Sequence, residues 1–243
     1  MKLSGKTAVV TGGGTGIGKA VALALAAEGC RVAIVGRRED KLRETAAAFK
    51  GEPAILCRAA DVADAAQVEQ LFAWADKELG KVDILVNNAG INVRDRTMAQ
   101  LSIDDWEAMH RVNASGPFYC MRAVLPGMRK RGDGLIINIS STAGKRASLL
   151  GGVGYSAAKF AASALGLTAA LEEGKNGIRV TTIYPGEVNT PILDGRPTPV
   201  SDEHRRRILQ PDDLAAAVLM VACLPPRAHV AEMVIKPTTQ DFA

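Results

Sequence analysis

The sequence predicts an α/β protein built on one doubly wound parallel sheet of about seven strands, with helices on both faces. Short apolar segments alternate with longer segments of helical character along the 243 residues. Most apolar segments are continuous rather than alternating, which is typical of parallel strands covered on both faces. A glycine-rich turn at residues 12–18 separates the first strand from the first helix. This order of elements favours a Rossmann-type fold.

The predicted elements follow one another as six strand–helix pairs and a final strand. We expect strands at residues 7–11, 31–36, 54–58, 82–87, 135–140, 179–184 and 230–235. We expect helices at residues 16–28, 39–50, 65–79, 103–131, 155–173 and 211–223. Asp64 lies three residues before Gln67, which is the spacing of a helix capping box. No long linker or repeat interrupts the pattern, so one domain is expected over residues 1–243.

Composition and charge exclude several classes of protein. Hydrophobic residues make up 47% of the chain and charged residues 23%, so intrinsic disorder and collagen-like repeats are excluded. The net charge is +4, but the sequence has no dense block of Lys and Arg, so no nucleic-acid partner is expected.

The four cysteines form no C-x-x-C pair and the histidines lack metal-ligand spacing, so no metal is expected. No apolar run has the length of a membrane span or a signal peptide, so we expect no membrane partner and a cytoplasmic location.

The glycine-rich turn is the first candidate binding element. Glycine permits a tight turn and a close approach of the backbone to a pyrophosphate, and the helix that follows directs its free N–H groups at that anion. The pattern is T-G-x-x-x-G-I-G rather than G-x-G-x-x-G. A merely flexible turn is the alternative. The position between the first strand and first helix favours a dinucleotide site at Gly12, Gly14, Thr15, Gly16 and Ile17.

The end of the second strand indicates which dinucleotide is bound. An NAD-binding protein is expected to carry a carboxylate there for the ribose 2′-hydroxyl. This strand instead ends in Gly36 and is followed by Arg37 and Arg38. A guanidinium binds a 2′-phosphate through charge-assisted hydrogen bonds, so the pattern favours NADP(H) over NAD(H). Two solvated charges at the start of the next helix are the alternative.

A tyrosine and a lysine form the candidate acid–base pair. Of the three tyrosines, Tyr155 has Lys159 four residues later, on the same face of a helix. A neighbouring cation favours the phenolate, so we expect Lys159 to lower the pKa of Tyr155. A tyrosine tuned in this way acts as a general acid or base on a carbonyl or an alcohol. Ser140 and Ser141 follow the fifth strand at the same edge and provide hydroxyls for the substrate oxygen.

Together these motifs resemble the short-chain dehydrogenase/reductase family. The resemblance runs from Lys6 to about Thr190 and rests on T-G-x-x-x-G-I-G, Asp61-Val62, N-N-A-G at 87–90, Asn113, Ser-Ser at 140–141, Y-x-x-x-K at 155–159 and P-G-x-V-x-T at 185–190. It implies a catalytic tetrad of Asn113, Ser141, Tyr155 and Lys159. Tyr155 would transfer the proton, Ser141 would orient the carbonyl, and Lys159 would bind the nicotinamide ribose. Asn113 would support a proton relay through water.

The resemblance also implies further cofactor residues. Asp61 and Val62 would flank the adenine, and the segment 185–190 would hold the nicotinamide amide. The implied set is Asp61, Val62, Asn88, Ala89, Gly90, Tyr155, Lys159, Pro185, Gly186, Val188 and Thr190. Ser141 is preferred to Ser140 because Gly144 follows it at the family's spacing, although the interval from Ser141 to Tyr155 is one residue longer than usual.

Two departures bear on the substrate, which we expect to be a small molecule. The segment between Thr190 and Pro211 is short, and residues 234–240 replace the family's V-D-G-G ending. Both resemble the branch that acts on small 3-hydroxy acids and related alcohols. Loop residues that face the substrate are expected among Asn92, Arg94, Arg96, Lys145, Arg146, Ser148, Leu149, Leu150, Glu187, Ile192 and Leu193, with most of the basic ones pointing to solvent.

Alternatives remain open within and outside the enzyme class. A 3-oxoacyl-[acyl-carrier-protein] reductase is the alternative enzyme. A binding protein that senses NADP(H) without turnover is the alternative from another class, although such a sensor has no need of the Tyr155–Lys159 pair. The Ala-rich surface of the helix from Tyr155 permits close packing with a second subunit. The family resemblance implies a homo-oligomer, either a dimer or a homotetramer.

Overall fold

Seven parallel strands form one sheet in the order β3-β2-β1-β4-β5-β6-β7. The computed structural model describes residues 1–240. The strands are β1 (Thr7–Thr11), β2 (Arg31–Gly36), β3 (Leu56–Ala59), β4 (Ile84–Asn87), β5 (Gly134–Ile139), β6 (Ile178–Pro185) and β7 (Glu232–Ile235). The predicted doubly wound Rossmann-type sheet is confirmed, and β1 and β2 have the predicted bounds.

Eight α-helices connect or flank the strands of the described chain. They are α1 (Gly16–Ala27), α2 (Glu39–Ala48), α3 (Ala65–Leu79), α4 (Ile103–His110), α5 (Gly116–Arg131), α6 (Val153–Glu173), α7 (Asp202–Arg207) and α8 (Pro211–Ala222). The predicted N-cap of α3 is present, because Asp64 Oδ1 accepts from the backbone N–H groups of Ala66 and Gln67. The reciprocal half of a capping box is absent, because Gln67 Oε1 accepts from the N–H of Asp61 instead. Within residues 1–240, the helices are too short or too polar to cross a membrane.

The core has two layers, one on each face of the sheet. One layer packs α1, α2 and α8 on the sheet, with Leu25, Leu42 and Leu214 almost fully buried. The other packs α3, α5 and α6 on the opposite face, around side chains such as Leu71 and Met128. Both faces are therefore covered, which explains why the central strands are continuously apolar.

The predicted helical segment over residues 103–131 is confirmed in its bounds, but it is not α-helical throughout. A π-helical turn, Arg111–Ser115, separates α4 from α5. It carries the buried Asn113, whose amide is hydrogen-bonded at both ends to the backbone of Ile91. This contact spans 22 residues along the chain, so the helical periodicity of the sequence does not reveal it. π-Helical turns occur often at functional sites.

The strand order reverses between β1 and β4, which places the ligand site. In open parallel sheets, ligands bind outside the carboxyl ends of the strands at such a switch point. The segment after β6 reaches the same edge. It forms a short 3-10 turn, Pro191–Gly195, continues through α7, and returns so that Val188 pairs with Leu209 in a parallel bridge. The segment between Thr190 and Pro211 therefore lies at this edge of the sheet.

Candidate active site

A cleft of about 560 Å³ opens at the carboxyl edge of the sheet. It is lined by the loops that follow β1 to β6. All residues predicted to bind the cofactor line this one cleft: Gly12, Gly14, Thr15, Gly16, Ile17, Arg37, Arg38, Asp61, Val62, Asn88, Ala89, Gly90, Tyr155, Lys159, Pro185, Gly186, Val188 and Thr190. The structure therefore brings together residues that are spread over most of the sequence.

The glycine turn suits a dinucleotide because it is packed so closely that side chains at two of its glycines would collide with neighbouring backbone. Gly12 has φ +66, and a Cβ there would lie 2.9 Å from the Cα of Ala89. A Cβ on Gly18 would lie 2.3 Å from the carbonyl oxygen of Gly12. The Asn88 side chain supports the turn by donating to the carbonyls of Thr11 and Gly12, at 3.0 and 3.3 Å. The turn is a fixed and closely packed cradle, not a flexible connector.

The adjoining helix end is suited to an anion. Thr15 is the N-cap residue of α1, but its side chain accepts no hydrogen bond from the first turn. The amides of that turn border the cleft, where the positive end of the helix dipole favours a phosphate. Arg37 and Arg38 are exposed at the same end of the cleft, and Arg38 lies 3.5 Å from the Thr15 hydroxyl. These groups suit a dinucleotide that carries an additional phosphate.

The remaining predicted cofactor residues lie along the rest of the cleft. Val62 is buried and packs against Gly116, where a Cβ would lie 3.0 Å from Val62 Cγ2. Asp61 is held by its own turn, because Asp61 Oδ1 accepts from the N–H of Ala63 at 3.0 Å. On the opposite side, the N–H of Gly186 donates to the carbonyl of Ile235 at 2.8 Å, which fastens the loop after β6 to β7.

Tyr155, Lys159 and Ser141 converge in the cleft. Tyr155 and Lys159 lie one turn apart on α6, as the spacing predicts, and the Lys159 ammonium is 5.7 Å from the centre of the Tyr155 ring. The Ser141 hydroxyl is close enough to the Tyr155 phenol to favour the phenolate. Lys159 is buried and donates to the carbonyl of Ile139 at 2.9 Å. The phenol and the Ser141 hydroxyl can therefore contact one substrate oxygen together.

Burial dominates the protonation of this pair. It lowers the pKa of Lys159 to about 8. It also raises the pKa of Tyr155, against the opposing effects of the Ser141 hydrogen bond and the Arg96 charge. The expected lowering of the pKa of Tyr155 is therefore wrong in its net direction. The lysine lies over the ring and donates to Ile139 rather than to the phenol oxygen, so desolvation of the phenolate has the larger effect.

The two adjacent serines have different environments. Ser140 is 4% exposed, and its hydroxyl lies 2.8 Å from the Ser163 hydroxyl and 3.3 Å from the carbonyl of Lys159. Ser141 is partly exposed in the cleft and lies close to Tyr155. Ser140 thus joins β5 to α6, and the geometry favours Ser141 as the residue that contacts substrate.

Asn113 lies behind the cleft rather than in its lining. Asn113 is 1% exposed. Its Oδ1 accepts from the N–H of Ile91 and its Nδ2 donates to the carbonyl of Ile91, both at 2.9 Å. A Cβ on Gly90 would lie 3.2 Å from this Oδ1 and 3.5 Å from Lys159 Nζ. Asn113 therefore fixes the loop after β4 beside Lys159. Its predicted part in a proton relay stays a prediction.

The candidate substrate residues divide into two groups. The cleft is lined by Asn92, Arg96, Ser148, Leu150, Glu187, Ile192 and Leu193. Arg94, Lys145, Arg146 and Leu149 are exposed outside it, and Lys145 pairs with Glu232 at 2.5 Å. The expectation that most of the basic residues point to solvent is confirmed, and Arg96 is the exception, being 6% exposed. Its hydrogen bonds to the carbonyls of Leu150 and Gly195 hold it inside the fold.

Two residues that sequence reasoning missed also line the cleft. Gln240 packs on the loop after β6, where its Oε1 accepts from the N–H of Glu187 at 2.9 Å. Arg196 is 13% exposed and pairs with Glu187 at 3.0 Å. Neither residue belongs to a local motif. The departure of residues 234–240 from the family's ending is the one signal that pointed towards Gln240.

Within residues 1–240, no three or more His, Cys, Asp or Glu side chains are grouped so that they could hold a metal ion. His110 and His229 contact the backbone carbonyls of Trp106 and Val180, each at 2.9 Å. All four cysteines are unpaired, and Cys30 and Cys120 are buried.

Comparison with known sequences identifies related proteins. The model of the short chain dehydrogenase family matches residues 6–199. Glycine betaine reductase ATRR of Emericella nidulans is 39% identical over 99% of this chain, and the chain spans 19% of the length of that relative. An uncharacterized oxidoreductase of Staphylococcus aureus is 34% identical over 97% of this chain and 98% of its own length.

Comparison with solved structures identifies the same group. The closed form of serine dehydrogenase complexed with NADP+ superposes with a TM-score of 0.89 at 32% identity, covering 98% of this chain and 97% of the other. The alcohol dehydrogenase from the archaeon Thermococcus sibiricus, complexed with 5-hydroxy-NADP, has a TM-score of 0.87 at 30% identity over 97% and 98%. The 3-ketoacyl-(acyl-carrier-protein) reductase from Brucella melitensis, complexed with NADH, has a TM-score of 0.88 at 29% identity over 96% and 98%.

Proposed function

Because the chain belongs to the short-chain dehydrogenase family, we propose that it is an NADP(H)-dependent oxidoreductase that interconverts a carbonyl compound and a secondary alcohol. The observation that carries this proposal is the convergence of Ser141, Tyr155 and Lys159 in the cleft whose other end holds Arg37 and Arg38. The whole chain, residues 1–243, would act as one binding and catalytic domain. Residues 241–243 lie outside the described structure.

The protein's own residues position the substrate and move one proton. When bound, NADP(H) supplies or accepts the hydride. The substrate oxygen would lie between the Tyr155 phenol and the Ser141 hydroxyl, which lie close together in the cleft. A raised pKa keeps Tyr155 protonated at neutral pH, so it is suited to donate its proton to a carbonyl that is being reduced. Ser141 would donate a hydrogen bond to the charge that develops on the same oxygen.

Lys159 and Asn113 would act by holding this arrangement. The Lys159 ammonium is 5.7 Å from the centre of the Tyr155 ring, donates to the Ile139 carbonyl and lines the cleft, so it would hold a ribose hydroxyl of the bound cofactor. Asn113 fixes the loop that carries Gly90 and Ile91. Mutual packing of these groups preserves their geometry, and small displacements at such a site reduce the rate strongly.

Three features support NADP(H) as the cofactor. Arg37 and Arg38 are exposed at the cleft, at the end of β2 where an NAD-binding protein carries a carboxylate. The glycine cradle and the open first turn of α1 accommodate a pyrophosphate. Two of the similar structures described above hold NADP+ or an NADP analogue.

A small 3-hydroxy acid or related alcohol is the substrate we favour. The likeness to serine dehydrogenase supports it, as does the short segment between β6 and α8. The likeness to a 3-ketoacyl-(acyl-carrier-protein) reductase supports an acyl thioester as the second candidate. The two differ in size and charge, so a substrate panel separates them.

We also propose a cytoplasmic homo-oligomer. Free thiols are typical of a reducing compartment. Phe118 on α5 and Phe160 on α6 are 44% and 42% exposed, and Leu171 on α6 is 86% exposed. Apolar side chains of this size on two neighbouring helices suit a contact with a second copy. Light scattering during size-exclusion chromatography would separate a monomer, a dimer and a tetramer.

A substrate panel with both cofactors tests the proposed activity. The purified protein is given NADPH or NADH with 3-oxo acids, their esters, simple ketones and a 3-oxoacyl thioester on an acyl carrier protein. We expect NADPH oxidation with at least one 3-oxo acid and a lower rate with NADH. Preference for the carrier-bound thioester would select the second candidate. Absence of turnover with every compound would contradict the proposal.

A further inference from the structure

Arg96 is a buried cation beside the reacting groups. It is 6% exposed, and its two terminal nitrogens donate to the carbonyls of Leu150 and Gly195 at 3.0 and 2.8 Å. A guanidinium has five N–H donors, so each terminal nitrogen keeps one further N–H for a ligand, whereas Arg96 Nε is enclosed and has no partner among the described residues. The two partners are neutral carbonyls, so they do not neutralise the charge of Arg96. Burial of an uncompensated charge is costly, which indicates that an anion completes the site.

A second guanidinium adds to this positive charge. Arg196 is close enough that its charge, after burial, lowers the pKa of Arg96. The Arg196 side chain is 13% exposed and pairs with Glu187 Oε2 at 3.0 Å. The same carboxylate oxygen lies 2.8 Å from His204 Nε2. The single carboxylate of Glu187 is thus shared by Arg196 and His204. Because Arg96 has no carboxylate partner, the two arginines together keep an excess of positive charge.

The two arginines lie where two cavities meet. The main cleft contains Tyr155 and Ser141, and a second cavity of about 460 Å³ lies between residues 149–150 and residues 196–204. Arg96, Leu150 and Arg196 line both. The Arg96 charge acts on the Tyr155 phenol itself. A substrate that presents its oxygen to Tyr155 and extends into the second cavity passes both guanidiniums.

We propose that Arg96 and Arg196 bind a carboxylate of the substrate, so that the enzyme acts on oxo acids and hydroxy acids in preference to neutral ketones and alcohols. Guanidinium groups match carboxylates in geometry and form short charge-assisted hydrogen bonds with them. This inference rests on the proposed function, because Tyr155 must act on a carbonyl in the same molecule. It adds the two residues that select the substrate by its charge.

The test compares 3-oxobutanoate with its methyl ester, which differ in the negative charge. Two quantities are measured for each: kcat/KM with NADPH, and the dissociation constant from the protein saturated with NADP+, where no reduction occurs. We expect wild type to favour the acid by about tenfold or more in both. Arg96→Gln and Arg196→Gln should each lower the acid-to-ester ratio by about 10- to 100-fold, the range for a lost hydrogen bond to a charged group.

Arg94→Gln is the matched control. Arg94 lies two residues from Arg96 and is exposed, and it lines neither cavity. The variant removes the same charge, and its acid-to-ester ratio should stay within about twofold of wild type, as expected for a screened surface charge. Should Arg96→Gln fail to fold, Arg196→Gln decides the question alone.

The outcomes separate this inference from the proposed function. Equal affinity of wild type for acid and ester, or a ratio unchanged in the folded arginine variants, would overturn the carboxylate site. Reduction of both compounds without preference would do the same while leaving the oxidoreductase activity intact. Preferential binding of the acid with no turnover of any compound would support the carboxylate site and contradict the proposed function.

Discussion

Replacing Ser141 by alanine should lower turnover by about 100- to 1000-fold, whereas replacing Ser140 should lower stability and leave turnover within about tenfold of wild type. The two hydroxyls are adjacent in the sequence but face different groups. Ser141 lies close to the Tyr155 phenol in the cleft. Ser140 is buried against Ser163 and the Lys159 carbonyl.

The magnitudes follow from what each hydroxyl does. Loss of one preorganised donor to a developing oxyanion costs roughly 2.7–4 kcal/mol of transition-state stabilisation. Loss of the Ser140 hydroxyl removes a buried hydrogen bond of 2.8 Å to Ser163, which still contacts the carbonyl of Lys159 at 2.8 Å. That loss is worth about 1 kcal/mol. For a chain of this size it lowers Tm by roughly 2–4 °C.

The assay measures both quantities on the same samples. Turnover is followed by NADPH oxidation with the best substrate of the panel, and stability is followed by thermal unfolding. Ser141→Ala should lower Tm by a comparable amount, roughly 2–4 °C, because the Ser141 hydroxyl caps the following 3-10 turn by accepting from the N–H of Ala143 at 3.1 Å. Equal losses of turnover in the two variants, or a larger loss in Ser140→Ala, would refute the assignment of Ser141 to the reacting oxygen.

Three further predictions concern the cofactor site and the buried lysine. Arg37→Glu should lower kcat/KM for NADPH by about 10- to 100-fold and leave kcat/KM for NADH within a few-fold of wild type, because only NADPH carries the 2′-phosphate. An equal loss with both cofactors would contradict a role of Arg37 in binding that phosphate. Burial lowers the pKa of Lys159 from 10.5 to about 8, so the unfolded chain binds more protons than the folded chain between pH 8 and 10.5. The free energy of unfolding of wild type should therefore rise with pH across that window, by up to about 3 kcal/mol relative to Lys159→Met. Denaturant titrations at several pH values measure that difference, and a constant difference would contradict the buried, lowered pKa. Gln240→Ala frees the N–H of Glu187 and should raise the Kd of NADPH several-fold in calorimetry, while an unchanged Kd would show that Gln240 does not support the nicotinamide loop.

Local patterns predicted most of what positions the site. The bounds of β1 and β2 follow from short β-rich apolar runs, and the cap at Asp64 follows from the spacing to Gln67. The Tyr155–Lys159 pair depends on helical spacing alone, and α6 preserves it. These features are set by neighbouring residues, so a single sequence contains them.

The features that the sequence left open depend on distant contacts. Arg96 is buried through carbonyls 54 and 99 residues away. The π-helical turn at Asn113 depends on the backbone of Ile91. The net direction of the pKa shift of Tyr155 depends on how deeply the folded protein desolvates the phenol, which outweighs its hydrogen bond to Ser141. None of these contacts leaves a periodic or motif-level signal.

Tyr155→Phe tests directly whether Tyr155 transfers the proton, when turnover and NADPH affinity are measured on the same sample. Tyr119→Phe is the matched control, because Tyr119 lies on α5 outside the cleft lining. We expect Tyr155→Phe to lose about 1000-fold or more in kcat while its Kd for NADPH stays within about threefold of wild type. Tyr119→Phe should keep its rate. Turnover of Tyr155→Phe within about tenfold of wild type would contradict Tyr155 as the acid and base of this enzyme.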